Sequence, residues 1–275
     1  MKDVRQSREY AEYLSRVGWK VEKIAGVYIF IKKLLFVSIV KVQRPEELLV
    51  EKILGIAKRY RAIYVSFEPL PSTQSGTGGQ ALLEKYGFGL SKSPFLPTKS
   101  LELDLAKSNK YFYRNLKKDC RYALRKCEEQ NIECKMGIEI KEFRDTWKKS
   151  VPVGRYVMSE RNMKSMKAAF GKKMQLIATT DLSAGGIFLT ANKRACYWMG
   201  FSNREGRKTQ AQYKVVWEGI LWAKKMGGTI FDFDGIYDER MPIETWKGLT
   251  HFKKSFGGEE VYYPGAYSKW IWKFW

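Results

Sequence analysis

The sequence predicts a duplicated α/β fold with mixed sheets. Helix-type and strand-type periodicities alternate along its 275 residues. The order helix, three strands, helix, strand runs through residues 7–67 and returns in residues 159–233. A hydrophobic fraction of 44% supplies enough apolar material for one large or two mid-sized cores. No residue-level repeat accompanies the order, so the duplication rests on the elements.

Ser7 is placed to cap a helix over 7–17 that carries Tyr10, Leu14 and Val17 on one face. Strands are expected at 19–24, 27–32 and 36–42. Pro45 followed by Glu46 and Glu47 starts a helix at 45–60, and 62–67 reads as a buried strand ending at Glu68. A helix at 80–86 and a strand at 98–105 follow. Ser108 caps a long helix to about Gln130. That helix has an apolar stripe of Leu116, Cys120, Ala123 and Cys127. Its other side carries Arg114, Lys117, Lys118, Arg121 and Arg125, with Tyr111, Tyr113 and Tyr122 nearby. Such a stripe suits a nucleic-acid backbone or the solvated outer face of a packed helix. A strand near 132–136 and helices at 139–150 and 159–170 come next. Strands at 173–180, 184–191 and 194–201, a helix at 209–226 and a strand at 229–233 close the second unit.

Charge is the outlying property. Fifty Lys+Arg against 29 Asp+Glu leave +21, with a pI near 9.7, which favours a polyanionic partner. His251 is the single histidine, and Cys120, Cys127, Cys134 and Cys196 form no close pair. These counts argue against a zinc site and a Cys-His nucleophile, so no metal and no cofactor are expected. No signal peptide is read at the start. The most membrane-like run, residues 24–42, has Lys32 and Lys33 in its middle. Each would cost about 3 kcal/mol at a helix centre in a bilayer, so the run reads as two strands.

Residues 229–258 hold the candidate chemistry. Ile230 to Asp234 is an apolar and acidic strand end, Gly235 turns the chain, and a short helix ends in Phe252-Lys253-Lys254-Ser255-Phe256. Phe252 and Phe256 share one helix face and Lys253 lies at its edge. There it is either a fixed cation reaching a cleft or a solvated surface lysine. The glycine-rich loop 72–79 has the glycines of an N-acetyltransferase coenzyme A loop at Gly76 and Gly78. Thr73 stands where that loop wants Arg or Gln, and a flexible loop is the plainer reading. The tail from Ser268, SKWIWKFW, suits an interfacial membrane contact or a final strand packed on the first domain.

Taken in order, the stretches RQS (5–7), RAIYVSFEP (61–69), TKSLELDLAKS (98–108), GGIFLTANKRACYWMGFSN (185–203), AQYKVVWEGILWAKKMGGTIFDFDGI (211–236) and HFKKSFGGEEVYYPGAY (251–267) resemble the Fem-type (FemABX) peptidoglycan-bridge aminoacyltransferases. The resemblance implies two tandem GNAT-like (acyl-CoA N-acyltransferase-like) domains, 1–135 plus about 264–275 and 136–263. It implies transfer of an amino acid from aminoacyl-tRNA to the stem-peptide amine of a UDP-linked or lipid-linked peptidoglycan precursor. Such an enzyme would be cytoplasmic, with room for a peripheral contact at an anionic membrane. Rival readings are an acyl-CoA-dependent N-acyltransferase, a tRNA-dependent transferase acting on protein N-termini, and an RNA-binding module without chemistry.

By the same resemblance Phe252-Lys253 occupies the place of a catalytic Phe-Lys pair. Tyr213 matches a tyrosine that contacts the precursor, and Glu68 an acidic position. Asp234 orients or caps the loop. A phosphate-binding lysine of the first helix falls on Glu12, and an arginine falls near Ser165, with Arg161, Lys164 and Lys167 close by. A first-domain tyrosine falls on Ile63, with Tyr64 beside it.

Overall fold

A computed structural model describes residues 2–74 and 78–271. In chain order the first elements are α1 (Arg8–Arg16), β1 (Lys20–Ile24), β2 (Val27–Lys33), β3 (Ser38–Gln43), α2 (Val50–Arg59), β4 (Ala62–Glu68), α3 (Gly78–Lys85) and β5 (Gly89–Leu90). Then come β6 (Lys99–Asp104), α4 (Asn109–Asn115), α5 (Lys118–Glu129), β7 (Cys134–Met136), α6 (Ile140–Ser150), α7 (Glu160–Phe170), β8 (Met174–Thr179), β9 (Ala184–Ala191) and β10 (Arg194–Ser202). The last are α8 (Arg204–Thr209), α9 (Ala211–Lys225), β11 (Ile230–Asp232), α10 (Trp246–Lys254), β12 (Glu259–Tyr262) and β13 (Tyr267–Trp270). The chain forms two compact units. One holds the residues up to Lys99, Asp238–Pro242 and the segment from Val261 onward; the other holds Ser100–Tyr237 and Ile243–Glu260.

The first unit is built on a sheet of order β1-β2-β3-β4-β13-β5. Strands β1, β2 and β3 pair antiparallel, and α2 then carries the chain to β4, which lies parallel to β3. Alternation puts Val40, Val42, Val65 and Phe67 on one face, packed with Ile53 and Ile56 of α2 and with Leu83 and Phe88. On α1, whose first turn Ser7 caps, Tyr10 meets the Phe30 ring edge-on at 5.6 Å.

The second unit repeats the plan. Its sheet has the order β12-β6-β11-β10-β9-β8-β7. Strands β8, β9 and β10 pair antiparallel, and β11 lies parallel to β10 after the helical crossover. The central strand β9 is buried at all eight positions, and Phe188, Val215, Val216, Ile220 and Phe231 sit in its core. Helix α9 approaches β9 through Gly219, where an added Cβ would lie 2.1 Å from a ring carbon of Phe188. Gly219→Ala is therefore expected to cost about 1–3 kcal/mol through overpacking, read as a lower midpoint in chemical denaturation.

Several elements depart from the sequence reading. The helix expected from Pro45 begins only at Val50. Arg44 adopts a left-handed φ of 51°, donates its N–H to Glu68 O at 2.7 Å and its guanidinium to Pro97 O at 2.6 Å, so the chain stays pinned to β4 before it can coil. The long helix expected over 108–130 breaks into α4 and α5. Ser108 does cap α4, but Leu116 turns extended and buried, and Lys117 N donates to Ser255 O at 2.8 Å. A tertiary partner outside the helix overrides its periodicity. Helix α8 was not anticipated. The expected boundary at 135 and the observed division near 99 differ because β6 pairs with β11 and the following segment packs beside it. Of the tail, Tyr267–Trp270 is a strand paired with β4, and residues 272–275 lie outside the described residues. So do residues 75–77 of the glycine-rich loop, including Gly76.

Candidate active site

The second unit gathers its buried charge at the end of β11. Arg194 of β10 is 6% exposed; its Nη1 donates to Glu102 Oε1 at 2.6 Å and to Asp232 Oδ2 at 3.2 Å. One guanidinium thereby ties β6, β10 and β11 together. The other Asp232 oxygen accepts from Ser100 Oγ at 2.5 Å and from Asp234 N at 2.8 Å. Ser100 Oγ in turn accepts from Gly235 N at 3.0 Å. These bonds hold the chain in a tight turn, with Asp234 at φ 53° and Gly235 at φ 113°.

That turn presents two carbonyls to one lysine. Lys253 Nζ donates to Phe233 O at 2.6 Å and to Gly235 O at 2.7 Å, and it lies 5.8 Å from the Tyr197 ring centroid. Lys253 is 5% exposed. An aromatic cluster drives it inward. Tyr213 of α9 meets Phe252 edge-on at 4.8 Å and stacks with Phe256 at 5.7 Å, while Phe256 lies 5.6 Å from Phe233. Lys253 is thus a buried lysine held on two backbone carbonyls, not a solvated surface lysine. Burial pushes its ammonium down to about 8, against the opposing pull of Asp234 and Asp232. An ammonium has three donors, and two are committed to the turn.

Lys253, Phe252, Tyr213 and Asp234 therefore come together, with Asp234 setting the turn. Burial raises the Tyr213 phenol. The three cations of α7 sit differently. Arg161 is exposed, Lys164 pairs with Glu160 at 2.6 Å, and Lys167 Nζ donates to Met174 O at 2.9 Å. Glu12, at the phosphate-lysine place, is taken up by Arg16 at 2.7 Å on the surface of α1. The Arg194–Glu102–Asp232 network is missing from the sequence reading. Its only signal was a charged residue opening an otherwise apolar strand at 194–201.

Glu68 and Tyr64 belong to the first unit. Tyr64 is half-buried against Trp270 at 4.8 Å and Phe95 at 6.3 Å. Glu68 is 2% exposed, and its Oε1 accepts from the backbone N–H groups of both Phe95 and Leu96 at 2.7 Å. Its Oε2 is buried and has no hydrogen-bond partner. This geometry makes Glu68 the clamp of the loop at 95–96. Glu68→Ala should then cost about 2–3 kcal/mol, whereas Glu68→Gln, which keeps one carbonyl oxygen for both donors, should stay within about 1 kcal/mol of wild type. Denaturant midpoints for the two variants check this.

The face of α4 and α5 in the second unit carries a pocket of about 420 Å³ lined by Tyr113, Lys118, Arg121, Tyr122 and Arg125, with Asp119 and Gln210. Arg121 Nη1 is anchored on Leu116 O, and Tyr113 is braced edge-on by Trp217 at 6.2 Å. The pocket adjoins α10, because Asp119 lies 3.6 Å from His251, two residues before Lys253. Among the described residues no group of three or more His, Cys, Asp or Glu is placed to hold a metal ion.

Residues 157–274, which span β8 to β11, the turn and α10, match the FemAB family model. The crystal structure of FemX superposes on the chain with a TM-score of 0.81 at 15% identity, covering 98% of this chain and 92% of FemX. L-PGS from Bacillus licheniformis follows at 0.62 and 11%, covering 94% and 86%. A tandem GNAT protein from the clavulanic acid biosynthesis pathway matches at 0.54 and 9%, covering 92% and 83%. The two α/β units are GNAT-like in fold. No curated protein matches the sequence.

Proposed function

We propose that the protein is an acyltransferase that moves an amino acid from aminoacyl-tRNA to the stem-peptide amine of a peptidoglycan precursor. The observation that carries this reading is the buried Lys253 ammonium, held on two carbonyls beside Tyr213 and Phe252 within the FemAB-matching region. In the reaction the amine nitrogen attacks the ester carbonyl carbon and an oxyanion forms. The bond to the ribose oxygen then breaks, and the proton lost by the amine ends on the ribose hydroxyl. Lys253 stabilises the oxyanion through its remaining donor, a contribution of about 3 kcal/mol in comparable sites. With a pKa of about 8 it is also matched to protonate the leaving oxygen near neutral pH. The pocket on α4 and α5 supplies cations for phosphates and tyrosine faces for unpaired bases, the chemistry that an RNA 3′ end requires. The +21 charge serves both polyanionic substrates. The place of action on this reading is the cytoplasm, where charged tRNA is available; no described helix is long and apolar enough to cross a membrane.

A second reading, acyl transfer from an acyl-CoA, draws on the GNAT-like units. Incubation with charged tRNAs and a UDP-linked stem peptide, followed by mass measurement, separates the two. A product heavier by one aminoacyl residue supports the proposal. Product formed from acyl-CoA alone, with none from charged tRNA, transfers the assignment to the second reading.

A further inference from the structure

We infer that the β2–β3 hairpin of the first unit is a docking element for an anionic lipid bilayer. Its tip, Leu34-Leu35-Phe36, is a tight turn closed by Leu34 N donating to Val37 O at 2.8 Å. Leu35 is 95% exposed and Phe36 83% exposed, with Leu34 at 48%. Three consecutive apolar side chains at this level of exposure, on a turn that needs none of them for its hydrogen bond, call for a partner. The surroundings of the tip identify that partner by charge. Lys33 is exposed beside the tip, and Lys20 lies on the neighbouring strand opposite Ile31. Arg61 is exposed and gives its carbonyl to Ser38 N at 3.1 Å, at the foot of the hairpin. Lys58 and Arg59, both exposed, close α2 just before it. The carboxylate at this end, Glu22, already accepts from Tyr60 Oη at 2.6 Å and lies 3.7 Å from Arg59.

An apolar wedge with exposed cations beside it in the chain, on the paired strand, at the foot of the hairpin and at the end of α2 is complementary to an acyl boundary beneath anionic headgroups. A protein groove would match the wedge but would give the cations no systematic role. The site is remote in chemistry from acyl transfer, and vesicle binding is measured without either substrate, so the inference does not depend on the proposed function.

The test is flotation of the full chain with phosphatidylcholine vesicles and with vesicles containing phosphatidylglycerol. Wild type is expected on the anionic vesicles only, and less of it at high salt. Leu35→Asp/Phe36→Asp should lower binding at least about 10-fold. Lys33→Ala should lower it about five-fold. Both are exposed changes and should leave the melting temperature in place. A chain shortened by residues 272–275 should still bind, because the hairpin is the proposed contact. Failure of wild type to float with anionic vesicles overturns the inference. So does equal binding by Leu35→Asp/Phe36→Asp, or loss of binding only in the shortened chain.

Discussion

Lys253→Met is expected to lower the rate of aminoacyl transfer by about 10²–10³-fold, the loss typical of removing one donor aimed at a developing oxyanion. The same change strips the Phe233 and Gly235 carbonyls of their shared donor. Each buried carbonyl left without a partner costs about 1–3 kcal/mol, and relief from burying the ammonium offsets part of that, so the variant should unfold at modestly lower denaturant. Lys253→Arg separates the two effects. It returns a cation to the carbonyls but not a compact ammonium, and should recover stability more fully than rate. Stability and rate measured on both variants check the claim.

Arg194→Met is expected to give the largest loss of stability. It removes the guanidinium shared by Glu102 and Asp232, whose side chains are 15% and 4% exposed. Breaking a buried ion pair from one side costs about 3–5 kcal/mol, which lowers the melting temperature by roughly 10 °C in a chain of this size. Removing the charges along with the arginine, in Arg194→Met/Glu102→Gln/Asp232→Asn, should recover most of the loss. Because Asp232 also holds Asp234 N, the single variant should lose transfer activity with the turn. Thermal melts and a rate assay read both effects.

Much of this architecture was legible in the chain. The paired order of helix, three strands, helix and strand came from periodicity alone, because β2, β3 and β9 are apolar on the faces they bury. The Phe252–Phe256 spacing pointed to an inward-facing anchor, and the anchor is there. The illegible parts depend on partners distant in sequence. Nothing local shows that Lys117 N would bond Ser255 O and split one helix into two. Nothing local shows that Arg194 would meet Glu102, 92 residues away. Glu68 read as an acidic strand end, and only the fold reveals that Phe95 and Leu96 return to it.

The central claim is that Lys253 is a buried ammonium tuned for acyl transfer. Its pKa is lowered in the folded state, so below about pH 8 it is charged in both folded and unfolded chains, and folding bears the full burial penalty. Between about 8 and the unfolded value near 10.5 the penalty is relieved, and this group's contribution to stability rises with pH. The rate should move the opposite way and fall as the ammonium is lost. The direct measurement is an NMR titration of the Lys253 side-chain amine, set beside the pH profile of transfer. A midpoint near 8 shared by the amine and the alkaline limb of the rate is the predicted result. An amine that titrates like an exposed lysine, or a rate that is flat through that midpoint, contradicts the account.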